Sequence, residues 1–178
     1  IEQEGTYPLP EAQVDRFMFK LRIDYPARGE ERTVVERMAH PSPEVAALAA
    51  ATLADVAAAR QWVDKVYVDE KVIEYILDIV VATRPKRRAE LSARQKEANL
   101  SSVDGFIEYG ASPRASIYLC LAAKAAAFLE GRAYVVPQDV KNVAHDILRH
   151  RIIPTYEAEA EGVSTDDIIK GLLDELRT

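Results

Sequence analysis

Residues 112–131 read SPRASIYLCLAAKAAAFLEG, and this stretch decides the fold. Ser112 is a favourable N-cap, Pro113 suits the first helical position, and Gly131 is a frequent helix terminator. Between them, residues 117–129 are apolar on nearly every side and rich in alanine. A helix without a polar face lies inside a bundle, where small side chains let neighbouring helices approach closely. The sequence therefore predicts a helical bundle around residues 113–130.

Helices are predicted on both sides of this stretch. Thr52, Asp69 and Ser164 can each cap a first turn, and Asp167 gives Ser164 a capping-box spacing. Val136 is a poor cap for the helix that follows it. Residues 43–51 have no clear helical face. The predicted helices cover 11–16, 30–39, 53–65, 70–83, 113–130, 137–148 and a last helix after residue 164.

Two patterns indicate extended structure. Residues 17–24 alternate apolar and polar side chains, which predicts a strand that ends before Pro26. Because a lone strand cannot satisfy its backbone polar groups, we expect its sheet partners to precede Ile1 in a longer protein. The alternative is an extended arm packed on the helices. The β-like triplets 66–68 and 134–136 could pair as a minimal ribbon.

Composition excludes several classes of protein. The 178 residues are 48% hydrophobic and 29% charged, as in ordinary globular domains. The single cysteine, Cys120, excludes an intrachain disulfide and is expected to be an inert core thiol. No apolar run reaches the roughly 18 residues of a membrane span and no signal peptide opens the chain, so we expect a cytoplasmic protein. A net charge of −6 argues against a dedicated nucleic-acid binder.

Residues 86–105 form the most polar stretch, and we expect a mobile insertion there. Its basic cluster invites a nucleic-acid hypothesis, but no interleaved aromatic residues offer stacking platforms, so a solvated loop is the preferred interpretation. The cluster consists of Arg84, Lys86, Arg87, Arg88, Arg94 and Lys96.

No complete catalytic centre can be recognised. The phosphate loop G-x-x-x-x-G-K-[ST] and the dinucleotide motif G-x-G-x-x-G do not occur. His145 and His150 are five positions apart and do not share a helix face, and His40 lies elsewhere, so no metal site is predicted. Trp62 and the tyrosines are expected to be packing residues.

Two arginines are candidates for phosphate chemistry. Arg114 would occupy the second position of a capped helix, where free N–H groups and the helix dipole favour an anion. It could equally pair with a carboxylate. Arg16 could instead form a local salt bridge with Asp15, Glu11 or Asp24.

Four segments resemble MoxR-type AAA+ ATPases, in the order of that family. IEQEGTYPLPEAQVDRF at 1–17 resembles the segment after the sensor 1 asparagine, and GASPRAS at 110–116 resembles the sensor 2 motif. Residues 63–84 and 130–152 resemble helices of the lid. Val136 departs from the capping Thr or Ser that is frequent in the family, and the stretch at 86–105 is longer than usual.

The resemblance implies a mainly α fold in two parts. Residues 1–26 would be the end of the AAA+ nucleotide-binding core, with its last strand, and residues 27–178 the helical lid. The phosphate loop, the acidic Mg²⁺ box and sensor 1 would precede this chain. A stand-alone helical interaction module without nucleotide binding, with 86–105 as its binding loop, is the alternative.

The resemblance also assigns roles to residues. Arg16 would be the arginine finger that acts on a neighbouring subunit's ATP. Arg114 would be the sensor 2 arginine, with Ser112 and Pro113 at the helix start that faces the phosphates. ATP and Mg²⁺ would serve the full-length ATP hydrolase, whereas this chain alone would be inactive and bind neither tightly.

The same resemblance implies a cellular role and partners. The full-length protein would couple ATP hydrolysis to chaperone-like remodelling or maturation of partner proteins. It would form a ring of its own copies and work with a protein that carries a von Willebrand factor A domain. Membrane insertion and nucleic-acid partners are not expected.

Overall fold

A computed structural model of the chain describes residues 9–42, 48–95, 98 and 100–178, and most of these are helical. The predicted fold class, a helical bundle with a minimal β-ribbon, is confirmed. None of the described helices is both long and apolar enough to cross a membrane. The helices are α1 (Glu11–Val14), α2 (Arg28–Met38), α3 (Leu53–Lys65), α4 (Glu70–Ala82), α5 (Pro113–Leu129), α6 (Pro137–Leu148), α7 (Tyr156–Ala160) and α8 (Thr165–Glu175), and the strands are β1 (Ile107–Tyr109) and β2 (Ile153–Pro154).

Helix α5 lies at the centre of the bundle and packs against α3, α4 and α6. Its residues Ala115, Leu119 and Ala123 are completely buried. The alanines allow the neighbouring helices to approach closely, as the sequence indicated. Helix α8 closes the core against α4 and α6.

The predicted capping residues hold the helix starts. The Thr52 hydroxyl accepts the Asp55 N–H at 3.1 Å, and Asp69 and Ser164 cap α4 and α8 in the same manner. Val136 provides no side-chain cap for α6; instead its own N–H donates to the Asp139 carboxylate at 2.8 Å. The ambiguous stretch 43–51 is non-helical at 48–51, and the remainder lies outside the described residues.

The strand predicted over residues 17–24 does not form among the described residues. The segment instead lies as an arm on the bundle, where the Lys20 N–H donates to the Asp146 carbonyl at 2.8 Å. Ile23 is 91% exposed, so the apolar face of the pattern is not buried. The reason is that a strand needs a second strand to pair its N–H and C=O groups, and none of the described segments supplies one.

The β-pairing also differs in place from the prediction. The triplets 66–68 and 134–136 meet at a single parallel bridge between Tyr67 and Tyr134. The antiparallel sheet is formed by β1 and β2 instead. These strands have three and two residues, which is too short for an alternating pattern to be read from the sequence.

The polar stretch 86–105 packs on the bundle, so the prediction of a mobile, solvated insertion is wrong for its described part. Its apolar residues Leu91, Leu100 and Val103 are buried. Gln95 is 1% exposed, and its amide both donates to the Arg177 carbonyl at 2.6 Å and accepts the Arg177 N–H at 3.0 Å. Residues 96, 97 and 99 lie outside the described residues. The local structure consists of short 3₁₀ helices at Pro85–Glu90, Ala93–Gln95 and Leu100–Val103.

Trp62 lies on the surface of α3 rather than in the core, which corrects the expectation that it packs inside. Its side chain is 60% exposed, and the Lys65 amine lies 4.7 Å from the centre of its ring in a cation–π contact. Helix α3 buries none of its residues completely, so it forms an outer layer over α5.

Candidate functional site

The loop before α5 is fixed tightly to the end of α4. A Cβ atom at Gly110 would lie 2.2 Å from the Thr83 carbonyl oxygen, so only glycine allows this approach. The Ala111 N–H donates to the Thr83 hydroxyl at 3.0 Å, and Arg84 Nε donates to the Ala111 carbonyl at 2.8 Å. The start of α5 is therefore held in place from outside the helix.

Ser112 and Arg114 form the start of α5 as the sequence predicted. The Ser112 hydroxyl accepts the Arg114 N–H at 3.3 Å, and Pro113 takes the first helical position. The Arg114 side chain is 48% exposed. A half-exposed guanidinium and the free N–H groups of a helix start make this corner favourable for an anion.

The anion that this corner binds is the carboxylate of Asp15. It accepts hydrogen bonds from Arg114 Nη1 at 3.0 Å and from the Ser112 hydroxyl at 2.9 Å. Arg151 Nε donates to its other oxygen at 3.0 Å. Partial burial alone would raise the pKa of Asp15, but the hydrogen bonds from Arg114 and Ser112 and the charge of Arg151 lower it below its ordinary value. Asp15 is thus held as a carboxylate anion.

Arg151 fixes the turn around Asp15 from beneath. Its side chain is completely buried, and its guanidinium donates to the carbonyls of Asp15 at 2.8 Å and Met18 at 3.3 Å, and also to those of Phe17 and Ile147. The guanidinium also lies 5.0 Å from the centre of the Tyr118 ring. Burial lowers the pKa of Arg151, and the Asp15 carboxylate opposes that effect. A buried guanidinium with this many acceptors is a structural anchor.

The two residues before Arg151 extend the attachment along the arm. His150 Nε2 lies 2.9 Å from the Phe17 carbonyl, and Arg149 bonds the Lys20 carbonyl, with Asp166 as its acid partner at 2.8 Å. Arg149, His150 and Arg151 together are named the α6-end triplet below. The triplet binds the arm through backbone carbonyls, so the contact fixes the path of the chain whatever side chains the arm carries.

Arg16 lies in the turn after α1, next to Asp15, and its side chain is exposed. Its carbonyl accepts the Tyr118 hydroxyl at 3.2 Å, which fixes its backbone. The local salt bridge with Asp15, Glu11 or Asp24 does not form, because Asp15 is taken by Arg114 and Arg151. Within the described part of the chain, the Arg16 guanidinium has no ion pair.

The structure brings the predicted site residues to one corner, although Arg114 and Arg16 are far apart in sequence. Arg114 pairs with a carboxylate, which was the open alternative, and the carboxylate belongs to the residue before Arg16. Sequence reasoning missed the bridging role of Asp15 and the anchoring role of Arg151. The available signal was the run Arg149, His150 and Arg151 between two apolar positions, Leu148 and Ile152, because a cation flanked by buried residues must be paired if it is itself buried.

Similarity to known proteins falls on the same elements. Residues 99–172 match the AAA lid domain family. Chaperone MoxR1 of Mycobacterium tuberculosis is 36% identical over 97% of this chain and 43% of its own length. Protein MoxR of Paracoccus denitrificans is 32% identical over 92% of this chain and 49% of its own length. Over nearly its whole length the chain is similar to MoxR-type AAA+ proteins. A crystal structure of a candidate ATPase from Cytophaga hutchinsonii matches it with a TM-score of 0.86 and 43% identity, over 99% of this chain and 51% of that one.

The chain spans about half the length of the relatives that it matches. The AAA lid match, over residues 99–172, contains Arg114 and Arg151, whereas Asp15 and Arg16 precede it. The lid thus holds the residue next to Arg16 through its own arginines. The division into two domains after residue 26 stays a prediction.

Proposed function

We propose that this chain is the nucleotide-sensing part of an ATP-hydrolysing, ring-forming MoxR-type protein. Arg114 contacts the phosphates of ATP, and Arg16 reaches the ATP of a neighbouring subunit. The observation that carries the proposal is the Arg114 guanidinium, which is half-exposed at a capped helix start and bound to an oxyanion of the chain itself. A corner that binds a carboxylate with two guanidinium groups and a hydroxyl has the donors that phosphate oxygens require.

The chemistry suits arginine. Transfer of the terminal phosphoryl group spreads negative charge over its oxygens, and a guanidinium stabilises that charge without gaining or losing a proton. The donors at the start of α5 are cations, a hydroxyl and N–H groups, which fit phosphate oxygens but not Mg²⁺. Any Mg²⁺ that accompanies ATP is therefore assigned to parts of the full-length protein outside this chain.

The position of Arg16 supports a role between subunits. Its backbone is fixed by Tyr118 and the neighbouring Asp15, while its guanidinium has no acid partner among the described residues. A fixed backbone with an exposed cation can place charge on a neighbour's nucleotide at little entropic cost. Hydrolysis would then depend on assembly of the ring.

The family resemblance supports a proposal for the cellular role. One relative is named a chaperone, and we propose chaperone-like remodelling or maturation of partner proteins in the cytoplasm, driven by ATP. A protein with a von Willebrand factor A domain is the proposed partner, in keeping with the family resemblance. The burial of Leu91, Leu100 and Val103 argues against the alternative, an interaction module with 86–105 as its binding loop.

Substitution of Arg16 in the full-length protein tests whether this residue is the arginine finger. We expect Arg16→Ala to bind ATP nearly as the unmodified protein does, while ATP turnover falls to background. Arg22→Ala is the matched control, because Arg22 is an exposed arginine of the arm that follows Arg16. Normal turnover by Arg16→Ala, or an equal loss in both variants, would contradict the assignment.

Substitution of Arg114 tests the phosphate contact. Arg114→Ala should weaken ATP binding and slow turnover, since the cation that meets the phosphates is gone. Arg87→Ala, at an exposed arginine paired with Glu90, should leave both unchanged. The purified 178-residue chain should show no ATP turnover; measurable hydrolysis by it would show that the catalytic parts are inside this chain.

A further inference from the structure

We propose, resting on the function proposed above, that the Asp15 carboxylate is a built-in occupant of the phosphate position at the start of α5. Nucleotide phosphate must displace it from Arg114, and the displacement reports nucleotide binding to the turn that carries Arg16. Asp15 is thus a regulatory residue, which competes with ATP for one arginine while it holds another.

The geometry at Asp15 is that of a bound oxyanion. One carboxylate oxygen accepts from Arg114 Nη1 at 3.0 Å, the other from Arg151 Nε at 3.0 Å, and the Ser112 hydroxyl donates to both, at 3.0 and 2.9 Å. The carboxylate therefore uses the same donors that a phosphate at this helix start would use. A phosphate that took the Arg114 Nη1 donor and the Ser112 hydroxyl would compete with Asp15 for both groups.

The two arginines differ in how easily they can be released. The Arg114 side chain is 48% exposed, whereas the Arg151 side chain is completely buried. A partly exposed ion pair contributes little to stability, but a buried one is costly to break. Arg114 can therefore leave Asp15 for another anion while Arg151 keeps the carboxylate paired.

The charges favour exchange when phosphate is present. One carboxylate faces two guanidinium groups, so the cluster carries an excess positive charge of about one when Arg114 is counted. A phosphate group carries more negative charge than a carboxylate and has more acceptor oxygens. The electrostatic attraction on Arg114 is therefore stronger at the nucleotide than at Asp15. The strength of the Asp15–Arg114 pair is the threshold that the nucleotide must exceed.

The exchange is linked to Arg16 through short covalent and hydrogen-bonded paths. Asp15 precedes Arg16 directly, and the Arg16 carbonyl accepts the hydroxyl of Tyr118, one helical turn after Arg114 on the same face of α5. The turn that carries Arg16 is held by the Asp15–Arg114 pair and by the hydrogen bond from Tyr118 to the Arg16 carbonyl. Release of the Asp15–Arg114 pair removes the first of these contacts. Nucleotide binding in one subunit would thereby change the position of Arg16, which acts on the ATP of the neighbouring subunit.

The test is a double-mutant cycle on ATP affinity in the full-length protein. Asp15→Asn keeps the shape of the side chain and its acceptor oxygen but removes the competing charge. We expect ATP to bind about 2- to 5-fold more tightly, in keeping with the modest strength of a partly exposed ion pair. The gain should vanish when Arg114→Ala is also present. Asp166→Asn is the control, since Asp166 is another carboxylate paired with an arginine, and ATP affinity should not change there.

The outcomes separate this inference from the function on which it rests. The proposed competition is wrong if Asp15→Asn binds ATP as tightly as the unmodified protein or more weakly, or if its tighter binding persists in the double variant with Arg114→Ala. In those cases Arg114→Ala alone should still weaken ATP binding, so the proposed function would stand. If Arg114→Ala has no effect on ATP binding, the proposed function itself fails. Should Asp15→Asn not fold, structures of the unmodified protein with and without an ATP analogue decide. The Arg114–Asp15 contact must open in the analogue complex while the Arg151–Asp15 contact stays closed, and an intact Arg114–Asp15 pair in both overturns the proposal.

Discussion

The chain has two regions that are held together by different forces. From Val66 to Leu176, hydrophobic side chains are buried in one core formed by α4, α5, α6 and α8. Before Val66, none of the described residues is buried, and α2 and α3 have exposed apolar side chains. The hydrophobic effect therefore stabilises the first region far more than the second.

The arm, which belongs to the region before Val66, is attached by polar contacts to the end of α6 and the start of α5. Asp15 binds Arg114 and Arg151, and the carbonyls of Phe17, Met18 and Lys20 accept bonds from the α6-end triplet. Such bonds are directional and contribute little surface burial. Because these contacts lie outside the hydrophobic core, we expect that the arm can be released without opening the core.

Removal of core volume should produce the largest loss of stability. Ile147 is completely buried in α6, and Ile147→Ala is expected to lower the free energy of unfolding by about 4 kcal/mol through lost burial and a cavity. Ile23→Ala, at a side chain 91% exposed on the arm, should change it by less than about 0.5 kcal/mol. Chemical denaturation followed by circular dichroism measures both. Similar losses in the two variants would refute the distinction between the regions.

Removal of the buried anchor should release the arm. Arg151→Met keeps the length of the side chain but deprives Asp15 and several carbonyls of their donor, at an expected cost of about 3 kcal/mol. Hydrogen exchange should rise at residues 9–20 more than in α4 and α5. Arg32→Met, in the exposed pair with Glu36, should cost less than about 1 kcal/mol and leave exchange unchanged. Unchanged hydrogen exchange at residues 9–20 in Arg151→Met would mean that apolar contacts, rather than Arg151, keep this segment on the bundle.

The smallest expected effect is a pH dependence of the same contact. Burial lowers the pKa of His150, with the charges of Arg151 and Lys20 acting in the same direction and the Phe17 carbonyl and Asp15 opposing. The unfolded chain therefore binds a proton near pH 6.5 that the folded chain does not, so the free energy of unfolding falls as the pH drops below about 6.5. His150→Gln, whose amide can still donate to Phe17, should lose this decline.

The control for the pH experiment is His40→Gln, at an exposed residue after α2, which should keep the decline. Below pH 4 every variant should lose stability further, because the lowered pKa values of Asp15, Asp139 and Asp166 mean that these carboxylates stabilise the fold only while ionised. A decline in His150→Gln equal to that of the unmodified chain would exclude His150 as its source.

Local signals in the sequence predicted the helices well. Helix α3 begins after the Thr52 cap and α5 after the Ser112 cap, because a cap satisfies N–H groups within a few residues of itself. The stretch 86–105 was misjudged because its few apolar residues have no period, and their burial depends on packing against α4 and against α8, which is distant in sequence. The tight contact of Gly171 with Ser102 and Val103 could not be inferred from either segment alone.

The candidate site was predictable only in part. Family resemblance drew attention to Arg16 and Arg114, but local spacing favoured a salt bridge between Asp15 and Arg16, the nearest cation. The folded chain instead gives Asp15 to Arg114 and Arg151, about 100 and 136 residues away. Which arginine pairs with a carboxylate depends on which guanidinium group the fold places beside that carboxylate, and this is decided by tertiary structure.

The surface position of Trp62 has a practical consequence for spectroscopy. It is the sole tryptophan of the chain, it is already 60% in contact with solvent, and an ammonium group lies over its ring. Indole emission should therefore change little when the interior melts, and should respond instead to whatever covers the outer layer formed by α3. The same fluorophore that is a poor reporter of unfolding is thus a well-placed, label-free probe of subunit or partner association at that layer.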